Sequence, residues 1–276
     1  MEIKNINSKF KNICSSNYLF DEKVSSVEII IPYYNASATI KRALMSVFSQ
    51  SFQNYRVHIV DDFSTDLEFE KLKEIIKNTD SKNRVNLYRS VENFGPGFCR
   101  NYCLSLCRSK YVCFLDSDDE WYQEKLLNQV QFMDKNKSIF SYHYYTRVLE
   151  DKTTTVKTAP NKLHSKNFLY SRGIGYCISM MLRSSSLSSL HLFPAKGEKN
   201  EDYKGFYQYI NSGNYEGDCL KQTLAAVHVV TESRSSNKIS IALDVFFYIC
   251  KTKGIVIGTC YFIVYLFNAS RIYFKL

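Results

Sequence analysis

Between positions 111 and 122 the chain reads Tyr111-Val-Cys-Phe-Leu-Asp-Ser-Asp-Asp-Glu-Trp-Tyr122. Its first five residues are apolar and predict a buried strand. Asp116, Asp118 and Asp119 follow at the carboxyl end of that strand. Three carboxylates this close repel one another unless positive charge lies among them, and hard oxygen ligands suit Mg²⁺ or Mn²⁺ holding a diphosphate. The alternative is a solvated acidic loop in front of the next helix.

Strands and helices alternate on both sides of this stretch. The hydrophobic periods predict strands at 27–31, 55–60, 85–89 and 111–115, and helices at 36–49, 68–78, 97–106 and 124–135. This alternation predicts an α/β fold with a doubly wound, mostly parallel sheet flanked by helices. The strand at 55–60 also ends in two acids, Asp61 and Asp62. Because ligands bind at the carboxyl ends of parallel strands, we expect both acidic groups to face one crevice.

The second half of the chain has a weaker pattern. We expect β structure at 140–149, a polar hairpin or loop at 151–158, and strands at 175–182 and 223–231. A helix is expected at 204–212. Residues 1–24 are predicted to be a loosely attached leader with a short helix around 7–13.

The tail from residue 239 is strongly apolar and aromatic. Gly254 to Ala269 carries no charge, but it falls short of the roughly 20 residues that a spanning helix needs. A helix lying in the membrane interface fits better, with basic side chains toward anionic lipid. A buried helix pair that closes the core, and a short re-entrant or spanning segment, are the alternatives.

Composition restricts the class of protein. The 276 residues suffice for one large domain, or for one domain with an appendage, and 45% hydrophobic residues exclude a largely disordered chain. A net charge of +9 favours polyanionic partners such as nucleic acid, anionic lipid or phosphorylated substrates. No run of five or more Lys and Arg residues is present, so a nucleic-acid-binding arm is not indicated.

The nine cysteines do not predict a metal site or a disulfide framework. Cys99, Cys103 and Cys107 lie four residues apart, on one face of a predicted helix, but no C-x-x-C pair and no nearby His accompanies them. We interpret them as small buried residues that pack this helix on the sheet. The polar N-terminus lacks the apolar core of a signal peptide, which favours a reducing cytosol.

Four motifs in order give the chain a specific resemblance. They are Val27-Glu-Ile-Ile-Ile-Pro-Tyr-Tyr-Asn35, Val60-Asp-Asp-Phe-Ser-Thr-Asp66, Asn93-Phe-Gly with Cys99-Arg-Asn101, and Phe114-Leu-Asp-Ser-Asp-Asp119. Together they resemble the family-2 glycosyltransferases, which have the GT-A fold. Asn200-Glu-Asp202 and Arg234-Ser-Ser-Asn-Lys238 are similar to motifs of the bacterial branch that makes O-antigen, capsule and lipooligosaccharide. The resemblance covers residues 27–240.

The resemblance implies a nucleotide-sugar-dependent transfer that inverts the anomeric centre. Pro32, Tyr33 and Asn35 match the loop that cradles the nucleoside. Asp62 matches the acid that hydrogen-bonds the base, usually uracil. Arg100 matches a basic residue near the base or the diphosphate.

The remaining matches concern the metal and the chemistry. Asp116 and Asp118 correspond to the family's DxD pair, with Asp118 as the direct ligand of Mn²⁺ or Mg²⁺ and Asp116 as a ribose or second metal contact. Asp202 corresponds to the general base. Its place at the start of a predicted helix leads us to expect a lowered pKa, because the helix dipole favours negative charge there. An ordinary N-cap role for Asp202 is the alternative.

These matches divide the chain into four parts. We expect a leader at 1–24, a donor-binding half at 25–135, an acceptor-binding half at 136–238 and membrane-associating amphipathic helices at 239–276. The expected partners are a UDP-sugar, a lipid-linked saccharide acceptor and an anionic membrane surface, but no nucleic acid. The expected location is cytoplasmic, peripheral on the inner face of the cytoplasmic membrane.

Three other classes of protein compete with this interpretation. A haloacid-dehalogenase-type phosphohydrolase has Thr or Val two residues beyond its second Asp, where this chain has Glu120. A dinucleotide oxidoreductase needs Gly-x-Gly-x-x-Gly after its first strand, whereas Gly95-Pro-Gly-Phe-Cys-Arg100 ends in Arg and follows the third. A membrane-associated relative that binds nucleotide sugar or glycan without turnover stays open.

Overall fold

The computed structural model describes residues 8–14, 27–171, 174–187, 192–194, 198–229 and 238–273. The described strands are β1 (Phe10–Cys14), β2 (Val27–Tyr33), β3 (Tyr55–Asp61), β4 (Val85–Ser90), β5 (Tyr111–Phe114), β6 (Glu120–Trp121), β7 (Phe140–Val148), β8 (Thr154–Lys157), β9 (Lys162–Leu163), β10 (Met181–Arg183) and β11 (Gly217–His228). The helices are α1 (Ser37–Phe48), α2 (Asp66–Thr79), α3 (Pro96–Leu106), α4 (Lys125–Asn136), α5 (Ser165–Phe168), α6 (Tyr176–Ser179), α7 (Glu201–Ser212), α8 (Lys238–Lys253) and α9 (Ile255–Tyr273).

All eleven strands join one sheet, whose main path runs β1-β4-β3-β2-β5-β10-β7-β11-β6. Strands β4, β3, β2 and β5 are parallel, β10 lies antiparallel between β5 and β7, and β11 runs parallel to β7. The predicted α/β sheet flanked by helices is therefore confirmed, but it is mixed: parallel pairing is confined to β4-β3-β2-β5 and β7-β11, and the other pairs are antiparallel. Its parallel strands end at one edge, where the loops that carry the acidic motifs meet.

Helices cover both faces of the sheet, each over its own apolar core. One core packs α1, α2 and α4 on β2, β3 and β5, and includes Leu44, Leu72 and Met133. The other packs α3, α7 and the tail helices on the opposite face, and includes Cys103, Phe206 and Ile249. Because the parallel strands are buried on both faces, they are almost continuously apolar.

The expected helix around residues 7–13 is wrong, because Phe10–Cys14 form β1 and pair antiparallel with β4. Phe10 is buried and stacks on Tyr102 with ring centroids 3.9 Å apart. Part of the expected leader thus belongs to the sheet, and this aromatic contact with α3 holds it there. Residues 1–7 and 15–24 lie outside the described residues.

The expected strand at 175–182 is also wrong over most of its length. Residues Tyr176–Ser179 form the short helix α6, and only Met181–Arg183 form a strand. Gly175 has φ +59°, and a Cβ there would lie 2.6 Å from Tyr145 Cε1. Gly175 is the N-cap of this helix, and its left-handed conformation favours glycine. The expected hairpin at 151–158 is confirmed by β8, which pairs with β7.

Two other boundaries differ from the sequence prediction. Strand β11 begins at Gly217 rather than at 223. Helix α7 begins at Glu201, so Asp202 lies inside its first turn. Residues 234–237 of the Arg234–Lys238 motif lie outside the described residues.

The tail forms two helices joined at Gly254, whose φ is +81°. Helix α8 packs on α7, where Lys204 Nζ lies 3.0 Å from Asp244 Oδ1 and the rings of Tyr207 and Tyr248 meet edge to face. Val245 and Ile249 are buried in the core. No helix in the described part of the chain is long and apolar enough to cross a membrane.

Candidate active site

The loops after β2 and β3 are fixed to each other at the carboxyl edge of the sheet. Asn35 adopts φ +46°, which Asn tolerates better than most residues. Its backbone N–H donates to Ser64 Oγ at 2.9 Å, and its Oδ1 accepts from the Thr65 N–H at 3.0 Å. Asn35, one of the predicted nucleoside contacts, therefore sits at this edge and also ties the two loops together.

The other two predicted residues of the first loop, Pro32 and Tyr33, are buried. The Tyr33 hydroxyl donates to Glu68 Oε2 at 3.3 Å, on the first turn of α2. Pro32 and Tyr33 therefore support the loop from the interior of the protein. The exposed aromatic side chains beside them are Tyr34 and Phe63, at 43% and 50% exposure. Neither residue was predicted from the sequence, although aromatic residues flanking Asn35 and Asp62 were a signal for a stacking surface.

Asp62 fixes the loop that precedes α3. Its side chain is 2% exposed, and its two carboxylate oxygens accept from the N–H groups of Phe94 at 2.7 Å and Gly95 at 2.8 Å. The preceding acid, Asp61, is fully buried and lies 3.0 Å from Arg89 Nε. The two acids at the end of β3 thus shape the edge of the crevice.

The segment Gly95-Pro96-Gly97 lets α3 begin close to α7. Gly95 has φ +87°, and no atom lies within 4 Å of the point where a Cβ would stand. Glycine is therefore favoured at this position by the positive φ and not by a lack of space. Pro96 occupies the first turn, where its missing N–H costs nothing. At Gly97 a Cβ would lie 3.2 Å from both Glu201 Cγ and Phe193 Cβ. A small residue there allows the two helix starts to approach.

Arg100 lies between the acidic cluster after β5 and the acidic pair Glu201-Asp202 at the start of α7. Its Nη2 lies 2.5 Å from Asp116 Oδ1, and its Nη1 lies 3.6 Å from Glu201 Oε1. The guanidinium group lies over the Phe193 ring, 5.2 Å from its centroid. Arg100 is buried, so its charge acts in a medium that screens it weakly. Glu201 was missed by the sequence analysis, which treated it only as the neighbour of Asp202.

The acidic cluster after β5 carries unfavourable negative charge. Burial, and then the charge of Asp116, raise the pKa of Asp118. Burial, Asp116 and Asp118 together raise the pKa of Asp119 well above its ordinary value. The predicted repulsion is thus present, and a cation would relieve it. Asp116 and Asp118 are accessible, whereas Asp119 is buried and accepts the His228 N–H at 3.0 Å.

His228 is a further residue that the sequence analysis did not select. It is the last residue of β11, and its Nε2 lies 3.1 Å from Glu120 Oε1. The antiparallel pairing of β6 with β11 brings it beside the acidic cluster. Positions 119 and 228 are too far apart in the chain for a spacing rule to connect them.

The residues present fit a divalent cation held by two carboxylates. Mn²⁺ and Mg²⁺ are commonly bound by one or two carboxylates together with substrate phosphates. Asp116 and Asp118 provide that set, and after burial the charge of Asp116 is the main cause of the raised pKa of Asp118. The three aspartates do not form a closed three-ligand cage. Within the described residues, only a different group brings three ligand atoms within 4.8 Å of one another.

Asp202 lies beside this centre, in the first turn of α7. Burial, and then the charge of Glu201, raise the pKa of Asp202 to about 6. The expected lowering by the helix dipole is wrong, because desolvation outweighs it. Asp202 is also not the N-cap, since Asn200 holds that position. A carboxylate with a pKa near 6 is a stronger base than an ordinary aspartate and is still ionised at neutral pH.

Residues 28–190, more than half of the chain, match the family model of glycosyl transferase family 2. The chain belongs to this family. Two bacterial relatives are similar in sequence to this chain along most of their own length. An uncharacterized glycosyltransferase of Haemophilus influenzae is 31% identical, over 90% of this chain and 98% of the relative. The Escherichia coli protein WfgD, a UDP-Glc:alpha-D-GlcNAc-diphosphoundecaprenol beta-1,3-glucosyltransferase, is 30% identical over 77% of this chain and 80% of its own.

Solved structures show the same fold at low sequence identity. Staphylococcus aureus TarS, residues 1–349 in complex with UDP-GlcNAc, matches with a TM-score of 0.66 and 19% identity, over 87% of this chain and 71% of that one. The mannosyltransferase PcManGT of Pyrobaculum calidifontis, in complex with GDP-Man and Mn²⁺, matches with a TM-score of 0.64 and 16% identity, over 97% and 79%. The GT-A fold expected from the motifs is confirmed.

Proposed function

We propose that this glycosyltransferase moves a sugar, with inversion, from a UDP-sugar to a lipid-linked saccharide during synthesis of a cell-surface polysaccharide. The observation that carries the proposal is the position of Arg100. This one buried cation contacts Asp116 of the DxD pair and Glu201, the neighbour of Asp202. These contacts support a common centre for the metal motif and the proposed base Asp202, which a direct displacement requires. The name of WfgD, which contains both UDP-Glc and a diphosphoundecaprenol acceptor, supports the choice of substrates.

The donor half holds the nucleotide. Asn35 and the exposed ring of Tyr34 offer a surface to the nucleoside. Asp62 is buried and both of its carboxylate oxygens accept backbone N–H groups, so it acts on the nucleobase through the loop that it fixes. Asp118 would hold Mn²⁺ or Mg²⁺ directly, with Asp116 as the second contact. The ion would supply positive charge for the diphosphate. Arg100 adds a cation that is already in place before the reaction, so no reorganisation is needed.

Asp202 acts as the general base. It removes the proton of the acceptor hydroxyl as the hydroxyl oxygen bonds to the anomeric carbon. The bond from that carbon to the diphosphate breaks on the opposite side, and its electron pair leaves with the nucleoside diphosphate. One carboxylate suffices because no covalent sugar–enzyme intermediate forms.

The tail helices provide the proposed membrane contact. Ile239, Leu243 and Phe247 form an exposed stripe at four-residue spacing on α8, and α9 exposes further apolar side chains: Ile255, Val256, Ile257, Ile263, Val264, Leu266 and Phe267. An apolar surface this continuous marks a site of membrane or protein contact. Lys251 and the net charge of +9 favour an anionic surface, so we place the enzyme on the inner face of the cytoplasmic membrane.

This membrane contact would lie close to the acceptor side of the site. Asp244 of α8 accepts from Asn200 Nδ2 at 2.7 Å, one residue before α7 begins. Helices that lie on lipid are thus linked to the helix that carries Asp202. A lipid-linked saccharide would reach the base from the same surface.

The test compares binding with turnover in one pair of proteins. Wild type and Asp202→Asn are titrated with UDP in the presence of Mn²⁺, and each is assayed with UDP-sugars and a diphosphate-linked lipid saccharide. We expect equal UDP affinity and a loss of turnover of at least about a hundredfold in Asp202→Asn. Full turnover in Asp202→Asn would contradict the assigned base. UDP binding without product from wild type, across the sugar panel, would favour the non-catalytic alternative.

A further inference from the structure

A second group of metal-ligating side chains lies away from the candidate active site, at the far end of α3 from Arg100. It comprises Glu28 on β2, His58 on β3 and Cys107, which directly follows α3. One ligand atom from each lies within 4.8 Å of the other two, and among the described residues this is the only such group of three. No His lies near the cysteines of α3 in the sequence, but the packing of α3 on β3 brings His58 to Cys107.

The facing atoms of this group lack hydrogen-bond partners. Glu28 and His58 are only 2% and 3% exposed. Glu28 Oε1 is satisfied by the N–H groups of Arg108 and Ser109 and by Ser109 Oγ. Glu28 Oε2 and His58 Nε2 lie 3.3 Å apart, yet neither atom has a partner with hydrogen-bond geometry. Buried polar atoms are nearly always satisfied, so a pair that meets only at ion-pair distance is a candidate for a shared ligand.

We propose that Glu28, His58 and Cys107 bind a structural zinc ion. A thiolate, an imidazole and a carboxylate are the ligand types that Zn²⁺ takes, whereas Mg²⁺ and Mn²⁺ favour oxygen. Tetrahedral bonds of about 2.0–2.1 Å place an oxygen and a nitrogen ligand about 3.3 Å apart. The Glu28 Oε2 to His58 Nε2 distance of 3.3 Å meets that requirement. Water entering beside the half-buried Cys107 completes the fourth position.

The surroundings of His58 suit metal coordination. Asn86 Nδ2 lies 3.5 Å from His58 Nδ1. Rotation of the Asn86 side-chain amide by 180° places its oxygen beside His58 Nδ1 instead. The oxygen then accepts the Nδ1 proton, and the Nε2 lone pair is left for the ion. Metal-bound histidines are commonly oriented in this way by an acceptor on the second nitrogen.

Binding releases one proton from the group. A cysteine thiol is ordinarily protonated at neutral pH. The thiol is therefore protonated without metal, and formation of the zinc–sulfur bond displaces its proton to solvent. The ion would connect two strands to the C-terminal end of α3, and Arg100 lies on the same helix about two turns earlier. Zinc would thereby position α3, without contact with the reacting groups, and the site does not depend on the proposed function.

The experiment measures zinc in the full chain, purified through a tag without histidines and without chelators. We expect roughly one zinc ion per chain by elemental mass spectrometry, lost in Cys107→Ser. Two control variants should keep it. Cys260→Ser removes an exposed thiol on α9, and Asp118→Ala removes the proposed ligand of the catalytic metal. Replacement of zinc by Co²⁺ should give a cobalt–thiolate charge-transfer band in wild type and in both controls.

Two results would overturn the proposal. Wild type that takes up no zinc and shows no cobalt–thiolate band would leave the group as a buried Glu–His ion pair. Zinc retained at full stoichiometry in Cys107→Ser would place the metal elsewhere. If Cys107→Ser does not fold, the cobalt band of wild type decides, because it requires a thiolate ligand, and Cys260→Ser excludes the exposed thiol. A failed glycosyl transfer with normal zinc content would count against the proposed function alone.

Discussion

The pKa of Asp202 makes a quantitative prediction about pH. For a carboxylate with a pKa of about 6, the ionised fraction is roughly one tenth at pH 5 and nine tenths at pH 7. We therefore expect kcat/KM to rise about tenfold between pH 5 and pH 7 and to level above that. An aspartate at its ordinary value of 3.8 would already be more than about nine-tenths ionised at pH 5 and would give a nearly flat profile.

The assay is the initial rate of nucleoside diphosphate release at substrate concentrations well below KM, with saturating Mn²⁺. Saturating metal keeps the DxD carboxylates ionised, so that their titration does not distort the profile. Glu201→Gln then assigns the group. Glu201 raises the pKa of Asp202 after burial does, so its neutral replacement should move the acid limb to lower pH. A flat wild-type profile, or an acid limb that stays in place in Glu201→Gln, would refute the reasoning.

Three further sets of variants probe the metal, the backbone and the membrane surface. Asp118→Ala should abolish the Mn²⁺-dependent part of UDP binding in calorimetric titration; unchanged metal dependence would exclude Asp118 as a ligand. Gly95→Ala and Gly254→Ala should each cost about 1–2 kcal/mol of unfolding free energy, since both glycines have positive φ and open space, but only Gly95→Ala should also reduce turnover. Phe247→Glu should weaken sedimentation with anionic vesicles at least about tenfold, whereas Val156→Glu, also at an exposed apolar residue, should not; equal binding by both would contradict the assigned surface.

The sheet was predictable because its central strands carry their signal locally. Continuous apolar runs such as 27–31 and 111–115, separated by helical periods, leave little choice of fold class. The errors occur where distant contacts decide. Phe10 forms a strand because rings of α3 receive it, and residues 175–179 turn helical because Gly175 is held against Tyr145. Short apolar runs do not by themselves distinguish a strand from a buried helix.

The candidate site was predictable where its residues lie together in the chain. Asp116 and Asp118 follow one strand, and their shared repulsion could be expected from spacing alone. His228 joins them only through strand pairing, and His58 joins Cys107 only through the packing of α3 on β3. The direction of the Asp202 pKa depended on burial, which outweighs the helix dipole and cannot be read from a first-turn position.

The central claim is that the DxD pair, Asp116 and Asp118, and the proposed base Asp202 form one centre for inverting sugar transfer. The most direct measurement is mass spectrometry of a diphosphate-linked lipid saccharide after incubation with the protein, Mn²⁺ and a panel of α-linked UDP-sugars, followed by proton NMR of the product. The account predicts one added sugar from one donor, in a β linkage, and none with Asp202→Asn. An α-linked product, or the same product from Asp202→Asn, would contradict it.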